Sequence, residues 1–267
     1  MSETNSGESA PIIICGCKRS GTTALVRIMN DNGIMISNEW ALFAWPSWQH
    51  KLSLRQWLEN KRAAVDQDPW LQHWHLKIVL AGDEADKGFA PALHSVYGNR
   101  PRWTWGDKWS DYVFHVRDIK AHFPDAKILY IYRDGRDVAA SMLRKGMAGS
   151  VAEAFRLWVD TIEAWRGWEK EFDHLAIRQE DLLGQPERVA VDIARYCSFP
   201  LRSADHAGYV VLGADAESPA DYVSKNPFKH KGAYHDQFSD ADIPAGAMRH
   251  LRALGYMEAN ALTEPAG

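Results

Sequence analysis

Cysteine is scarce in this chain of 267 residues: only Cys15, Cys17 and Cys197 occur. Cys15 and Cys17 flank a single residue and cannot bridge each other without strain. The set therefore reads as reduced thiols of a cytoplasmic protein, not as a disulfide framework. The spacing of short-range Cys and His ligands that a zinc site needs is also missing, so no metal is expected. No apolar run approaches the roughly 20 residues of a membrane-spanning helix. Met1 to Ala10 is polar with no basic segment, and the apolar run that follows is too short for a signal peptide. Charge of one sign is absent too. The 31 Lys and Arg against 35 Asp and Glu leave a net charge of −4, which excludes the basic footprint of a general nucleic-acid binder. A small anionic ligand stays possible, because such a site needs only a few local cations.

What is present is an ordinary folding composition, 46% hydrophobic and 25% charged, long enough for a large core without covalent staples. Residues 1–10 read as a disordered tail and 11–267 as one domain. The run Ile12-Ile13-Ile14-Cys15 predicts a strand buried on both faces. A helix with Leu25, Ile28 and Met29 on one side follows, stopped at Asn32-Gly33. Lys127 to Tyr132 predicts a second buried strand, with a helix from Asp137 to Arg144 after it. Ser150 and Glu153 form a capping box for a helix that presents Phe155, Trp158, Ile162, Trp165 and Phe172. Leu175 to Arg178 is a third strand, Pro186 opens a further helix, residues 213–240 read as a long loop, and Pro244 to Leu254 is the last helix. Alternating strands and helices imply an α/β fold, a parallel sheet flanked by helices in three layers. Between 34 and 109 the texture changes. This stretch holds nine of the twelve tryptophans and has too little periodicity for its elements to be ordered.

Two segments carry chemistry. Gly16-Cys-Lys-Arg-Ser-Gly21-Thr22-Thr23 follows a strand and opens a helix, the layout of a phosphate-binding loop. Glycines let the backbone curl, its N–H groups turn inward, and the helix N-terminus adds positive potential. A nucleoside-triphosphate loop has Lys where Thr22 stands, whereas the cations here are Lys18 and Arg19. The second segment is Arg133-Asp-Gly-Arg-Asp-Val-Ala-Ala-Ser141, again at a strand end. Arg133 offers a bidentate fork to a phosphate, and Ser141, eight residues on, a hydroxyl on the following helix.

In these two segments the chain resembles the sulfotransferases that use 3′-phosphoadenosine 5′-phosphosulfate (PAPS). Lys18, Arg19, Ser20, Gly21, Thr22 and Thr23 are similar to the family's 5′-phosphosulfate loop, and Arg133 with Ser141 to its 3′-phosphate motif. Arg178-Gln-Glu-Asp-Leu-Leu followed by Pro186-Glu187 resembles a further family stretch in which Gln179 replaces Tyr. Phe228-Lys-His-Lys-Gly232, followed by Phe238, resembles a late basic loop, with His230 in place of Arg. The resemblance implies a P-loop-like sulfotransferase fold, and PAPS as donor with no metal. It also implies nucleotide contacts from Lys145, Lys231 and Gly232 besides the two motifs. Arg19 would stabilise the leaving phosphate, and Lys108 the bridging oxygen. For the base, Glu39, twenty positions after Arg19, matches a catalytic Glu of tyrosylprotein sulfotransferases. His73, His75 and His115 are the alternatives, since cytosolic relatives use a His. The acceptor is expected to be a small molecule, a sugar or a lipid headgroup, for which the Trp-rich stretch would line a cleft, although for any one of these Trp the favoured reading is core. A P-loop kinase and a non-catalytic nucleotide-binding protein are the competing readings.

Overall fold

The computed structural model describes residues 10–67, 75–98, 101–201, 209–210, 223–224 and 232–258. In chain order β1 is Ile12–Gly16, α1 Thr22–Asp31 and β2 Met35–Asn38. Four helices follow: α2 Trp45–Trp48, α3 Leu54–Gln67, α4 His75–Glu84 and α5 Phe89–Tyr97. Then come β3 Trp105–Lys108, α6 Val116–His122, β4 Lys127–Tyr132, α7 Gly135–Arg144 and α8 Val151–Trp168. The chain continues through β5 Leu175–Arg178, α9 Gln179–Gly184, α10 Pro186–Cys197, a small antiparallel pair β6 Tyr209–Val210 and β7 Val223–Ser224, and α11 Ala245–Ala253.

Strand alternation makes the three layers. Ile13, Cys15, Ile128 and Tyr130 join Trp105 and the residues of α3 to α6 on one face of the sheet. Their neighbours Ile12, Ile14, Leu129 and Ile131 meet Leu25, Ile28 and Met29 of α1, and Val189 and Ile193 of α10, on the other. Each such apolar side chain withdrawn from water contributes about 1.5–3 kcal/mol, so burial of one stripe holds α1 in place without a side-chain cap. A third cluster packs α7 and α8 against Tyr234, Phe238 and Leu251 of the C-terminal segment.

The five long strands form one parallel sheet in the order β2-β3-β1-β4-β5. Central β1 touches both neighbours at glycine. A Cβ on Gly106 would lie 1.7 Å from the Ile12 carbonyl oxygen, and one on Gly16 2.1 Å from that of Ile131. Because the pairing is parallel, all five strands end on one edge, with Asn38, Lys108, Gly16, Tyr132 and Arg178 as their last residues.

The α/β fold, β4, β5 and α10 match the sequence reading. Two strands, β2 and β3, lie in the stretch left unordered. The helix after β4 begins at Gly135 because the Asp134 carboxylate accepts from Arg136 N. Ser150 caps Glu153 N as expected, but the Glu153 carboxylate reaches Gly149 N at 2.7 Å and not Ser150 N. Phe172 lies beyond the end of α8, half-buried. The stretch expected as a loop at 213–240 includes β7 and short 3-10 turns. Ala10 is buried and accepts from Trp103 N at 2.7 Å, while the rest of the expected tail lies outside the described residues. All three thiols are buried and free. Among the described residues no helix is long and apolar enough to cross a membrane.

Gly106→Ala is expected to destabilise the fold by about 3 kcal/mol or more, since the obstacle is backbone and cannot rotate away. Chemical denaturation followed by circular dichroism checks this, with Gly167→Ala, where a Cβ meets nothing within 4 Å, as the tolerated control.

Candidate active site

Parallel strands gather their following loops at the carboxyl edge of the sheet, the usual ligand position in open α/β folds. The loop after β1 is tightly wound. Arg19 (φ +71°) and Gly21 (φ +90°) adopt left-handed backbone, and Ser20 N bonds to Cys17 O at 3.1 Å. α1 starts at Thr22 with Gly21 as N-cap and no side-chain cap; Ala24 N bonds to Gly21 O at 3.0 Å, which leaves the Thr22 and Thr23 amides for an anion. Thr22 is buried and Thr23 half-buried. Ser20 Oγ is buried without a hydrogen-bond partner. Beside it Gln179, the first residue of α9, packs on Gly21, its Nε2 only 3.1 Å from where a Cβ would stand, and its Oε1 is also unpartnered. An unsatisfied buried polar atom costs about 1–3 kcal/mol, and two of them lie around this one glycine.

The second motif closes on this loop. Arg19 Nε donates to Ser141 Oγ at 3.0 Å, and Arg133 Nη1 to the Arg19 carbonyl at 3.3 Å. Burial, and then the Arg133 and Arg144 charges, lower Arg19 from the usual guanidinium range. Among the described residues no carboxylate pairs with Arg19. Cations held together in this way gain from an anion between them. Arg133 also lies 3.5 Å from Asp137, whose other oxygen accepts from Gly232 N at 2.9 Å. The two expected motifs and Gly232 thus meet at one place. Lys18 instead pairs with Asp111 at 3.0 Å on the rim. Lys145 caps the end of α7 and is exposed; of the cations ending that helix, Arg144 is the one whose field reaches Arg19. The sequence reading passed over Arg144, although it stands one helical turn after Ser141. Lys231 lies outside the described residues.

Glu39 and Lys108 form an ion pair at the same edge, Lys108 ending β3 beside β1 and Glu39 following β2 beyond it. Lys108 is buried (2% exposed), while the Glu39 side chain is 50% exposed. Glu39 has left-handed backbone (φ +62°), held by Glu39 N donating to Lys108 O at 2.6 Å. His115 is otherwise engaged. Its Nδ1 lies 2.7 Å from Ser47 Oγ, which also donates to Asp118, and its ring stacks on Trp109. Burial lowers its pKa. This set ties α2 to α6 and makes no contact with Glu39. His73 and the side chain of His75 lie outside the described residues. Of the Trp-rich stretch, Trp40 and Trp105 fill the core, whereas Trp48, 38% exposed, stacks on Trp57 at 6.4 Å.

A model of the sulfotransferase family matches residues 11–203. The chain belongs to the sulfotransferase family. Solved sulfotransferases share its fold. The sulfotransferase domain from the curacin biosynthetic pathway has a TM-score of 0.62 at 16% identity, over 94% of this chain and 99% of that one. The sulfotransferase domain of the Synechococcus PCC 7002 olefin synthase gives 0.59 at 14%, over 97% and 99%. A mouse sulfotransferase complexed with PAP gives 0.52 at 13%, over 93% and 84%. This sulfotransferase therefore acts by sulfuryl transfer, and the kinase reading falls, consistent with Thr22 in the loop and an Arg at the end of β4.

Inorganic phosphate is expected to raise the thermal unfolding midpoint of the sulfotransferase, an effect reduced by more than half in Arg19→Ala. Differential scanning fluorimetry across a phosphate series at constant ionic strength checks it.

Proposed function

We propose that the chain transfers the sulfuryl group of PAPS to a hydroxyl or amine of a small acceptor by in-line displacement, with Glu39 as base. The observation that supports this best is the direct contact of Arg19 with Ser141, which joins a phosphate loop to a phosphate motif while Glu39 and Lys108 stand at the same sheet edge. Ser20 and Gln179, with unpartnered buried atoms, fit a phosphorylated nucleotide.

PAPS supplies an activated sulfuryl group and leaves as adenosine 3′,5′-bisphosphate (PAP). The residues of this chain do the rest. The loop amides, Ser20, Thr22 and Thr23 hold the 5′-phosphate, and Arg133 with Ser141 the 3′-phosphate. As the new acceptor-to-sulfur bond forms, the bond from sulfur to the bridging oxygen breaks and negative charge grows on the leaving phosphate. Arg19 stabilises that charge. Lys108 faces the transfer from the acceptor side, and Glu39 takes the acceptor proton. Lys231 and Gly232 would complete the donor site from the C-terminal segment. The stacked Trp48 and Trp57, with Lys51 and Lys61 over their rings, suit a sugar, phenol or lipid-headgroup acceptor. Three free buried thiols fit a reducing cytoplasm.

Glu39→Gln and Arg19→Ala are each expected to lower turnover by about 100-fold or more. Arg133→Ala is expected mainly to weaken PAP binding, by about 10-fold or more, through loss of a charge-assisted fork. Calorimetric titration with PAP, and PAP release from PAPS across an acceptor panel, measure these effects. Thermal protection by ATP with magnesium but not by PAP would sink the choice of donor, and near-normal sulfation by Glu39→Gln the choice of base.

A further inference from the structure

β3 places two ionisable residues side by side, on opposite faces of the sheet. Lys108 reaches Glu39, while Asp107 turns into the aromatic core and is wholly buried. Its carboxylate is fully engaged: Ser37 Oγ donates to one oxygen at 2.6 Å and Tyr112 OH to the other at 2.6 Å. Ser37 has one hydroxyl hydrogen and gives it to Asp107, so Tyr97 OH, 2.6 Å away, donates to Ser37. Tyr112 OH in turn accepts from Phe43 N at 3.1 Å.

These bonds bracket the segment that bears Glu39. At one end Ser37, in register with Asp107 across β2 and β3, fixes the strand two residues before Glu39. At the other, Phe43 is fixed through Tyr112. Between them Glu39 and Ala41 both hold left-handed backbone (φ +62° and +53°), a conformation that costs a non-glycine residue energy and persists only where its surroundings impose it. Charge adds a second link. Lys108 is a buried ammonium whose neighbours in sequence and space are Asp107 and Glu39, and a base that accepts a proton gives up its negative charge. Lys108 then keeps Asp107 as its counter-charge.

We propose that Asp107 is the positioning residue of the Glu39–Lys108 pair: its ionised carboxylate anchors the segment that carries Glu39 and balances Lys108 while Glu39 holds the acceptor proton. This rests on Glu39 being the base. The groups facing Asp107 are Lys108 on its own strand, Glu39 after β2, Lys61 on α3, Tyr97 on α5 and Tyr112 after β3. Burial raises its carboxyl to about 6, against the lowering effect of the Ser37 and Tyr112 hydrogen bonds and of Lys108. Activity that needs the ionised form is present above this value and lost as pH falls through it.

The test uses the full chain, PAPS, and 4-nitrophenol as probe acceptor, with PAP release as readout. Asp107→Asn is expected to lower kcat by about 100-fold while PAP affinity and the KM for PAPS stay unchanged. The acid limb of kcat, near pH 6 in the unaltered protein, is expected to vanish in that variant. Tyr112→Phe and Ser37→Ala each remove a bond that favours the carboxylate, so each is expected to move the limb to higher pH, and they keep the test alive if Asp107→Asn does not fold. An unchanged kcat in Asp107→Asn overturns the proposal, as does a loss shared equally by PAP affinity, or a limb that stays put in Tyr112→Phe. Glu39→Gln runs alongside. If it retains turnover, the assignment of the base has failed. If it is inactive while Asp107→Asn matches the unaltered protein, only the role of Asp107 has.

Discussion

The structure depends on how closely β1 approaches its two neighbours. Glycine at 106 and at 16 lets backbone meet backbone where any side chain would intrude, and it does so on both sides of the same strand. The spacing of β3, β1 and β4 is thereby set by main-chain geometry and not by adaptable side chains. That matters because the contacts beyond the strand ends tolerate little error. The Arg19 guanidinium reaches Ser141 on the helix after β4, and Arg133 reaches back to the Arg19 carbonyl, at 3.0 and 3.3 Å. A strand displaced sideways would separate the two motifs even with every functional residue present.

A second tie fixes the C-terminal segment to the same edge. Arg136 forks onto Asp134, donates to the Tyr234 hydroxyl and to the Tyr256 carbonyl, and lies over the Tyr234 ring. Glu180 accepts from Asp134 N and from Tyr256 OH. Removing one member of such a largely buried set costs about 3–5 kcal/mol, because the others are left uncompensated. This segment includes Gly232, whose N–H is held by Asp137, the partner of Arg133, so the tie reaches the proposed donor site.

Much of this was legible in the sequence, and the division has a physical cause. β1, β4 and β5 announce themselves as apolar runs bounded by turn residues, Arg19 and Arg133 stand in the loops just beyond strand ends, and Ser141 follows from its spacing of eight after Arg133. β3 is silent because Trp-Gly-Asp-Lys looks like a polar turn. It is a buried strand only because Ser37, Tyr112 and Glu39 supply partners from elsewhere in the chain. Arg144 was hidden for the same reason, and Gln179, noted only as standing where the family has Tyr, shows its packing on Gly21 only in the fold. The tryptophan excess divides as well, with Trp40 and Trp105 filling the core, Trp57 packed against it and Trp48 stacked outside on Trp57.

The two halves of the site differ in how their charge is balanced, and the difference suits their tasks. On the proposed donor side Arg19, Arg133 and Arg144 cluster, and Asp137 faces Arg133 while, among the described residues, no carboxylate pairs with Arg19. Net positive charge there favours a group whose negative charge grows as it leaves. On the proposed acceptor side one buried ammonium, Lys108, pairs with Glu39, and the charge of its strand neighbour Asp107 lies on the other face of the sheet. A uniformly cationic pocket would hold the base deprotonated too firmly for it to accept a proton, and an anionic one would repel the sulfuryl oxygens. In the proposed reaction one Lys paired with Glu39, with the Asp107 charge behind it, avoids both. Neutralising Glu39 would then leave one cation against one anion, with no bare buried charge. The placement of β3 beside β1 in the sheet keeps these two environments adjacent without merging them.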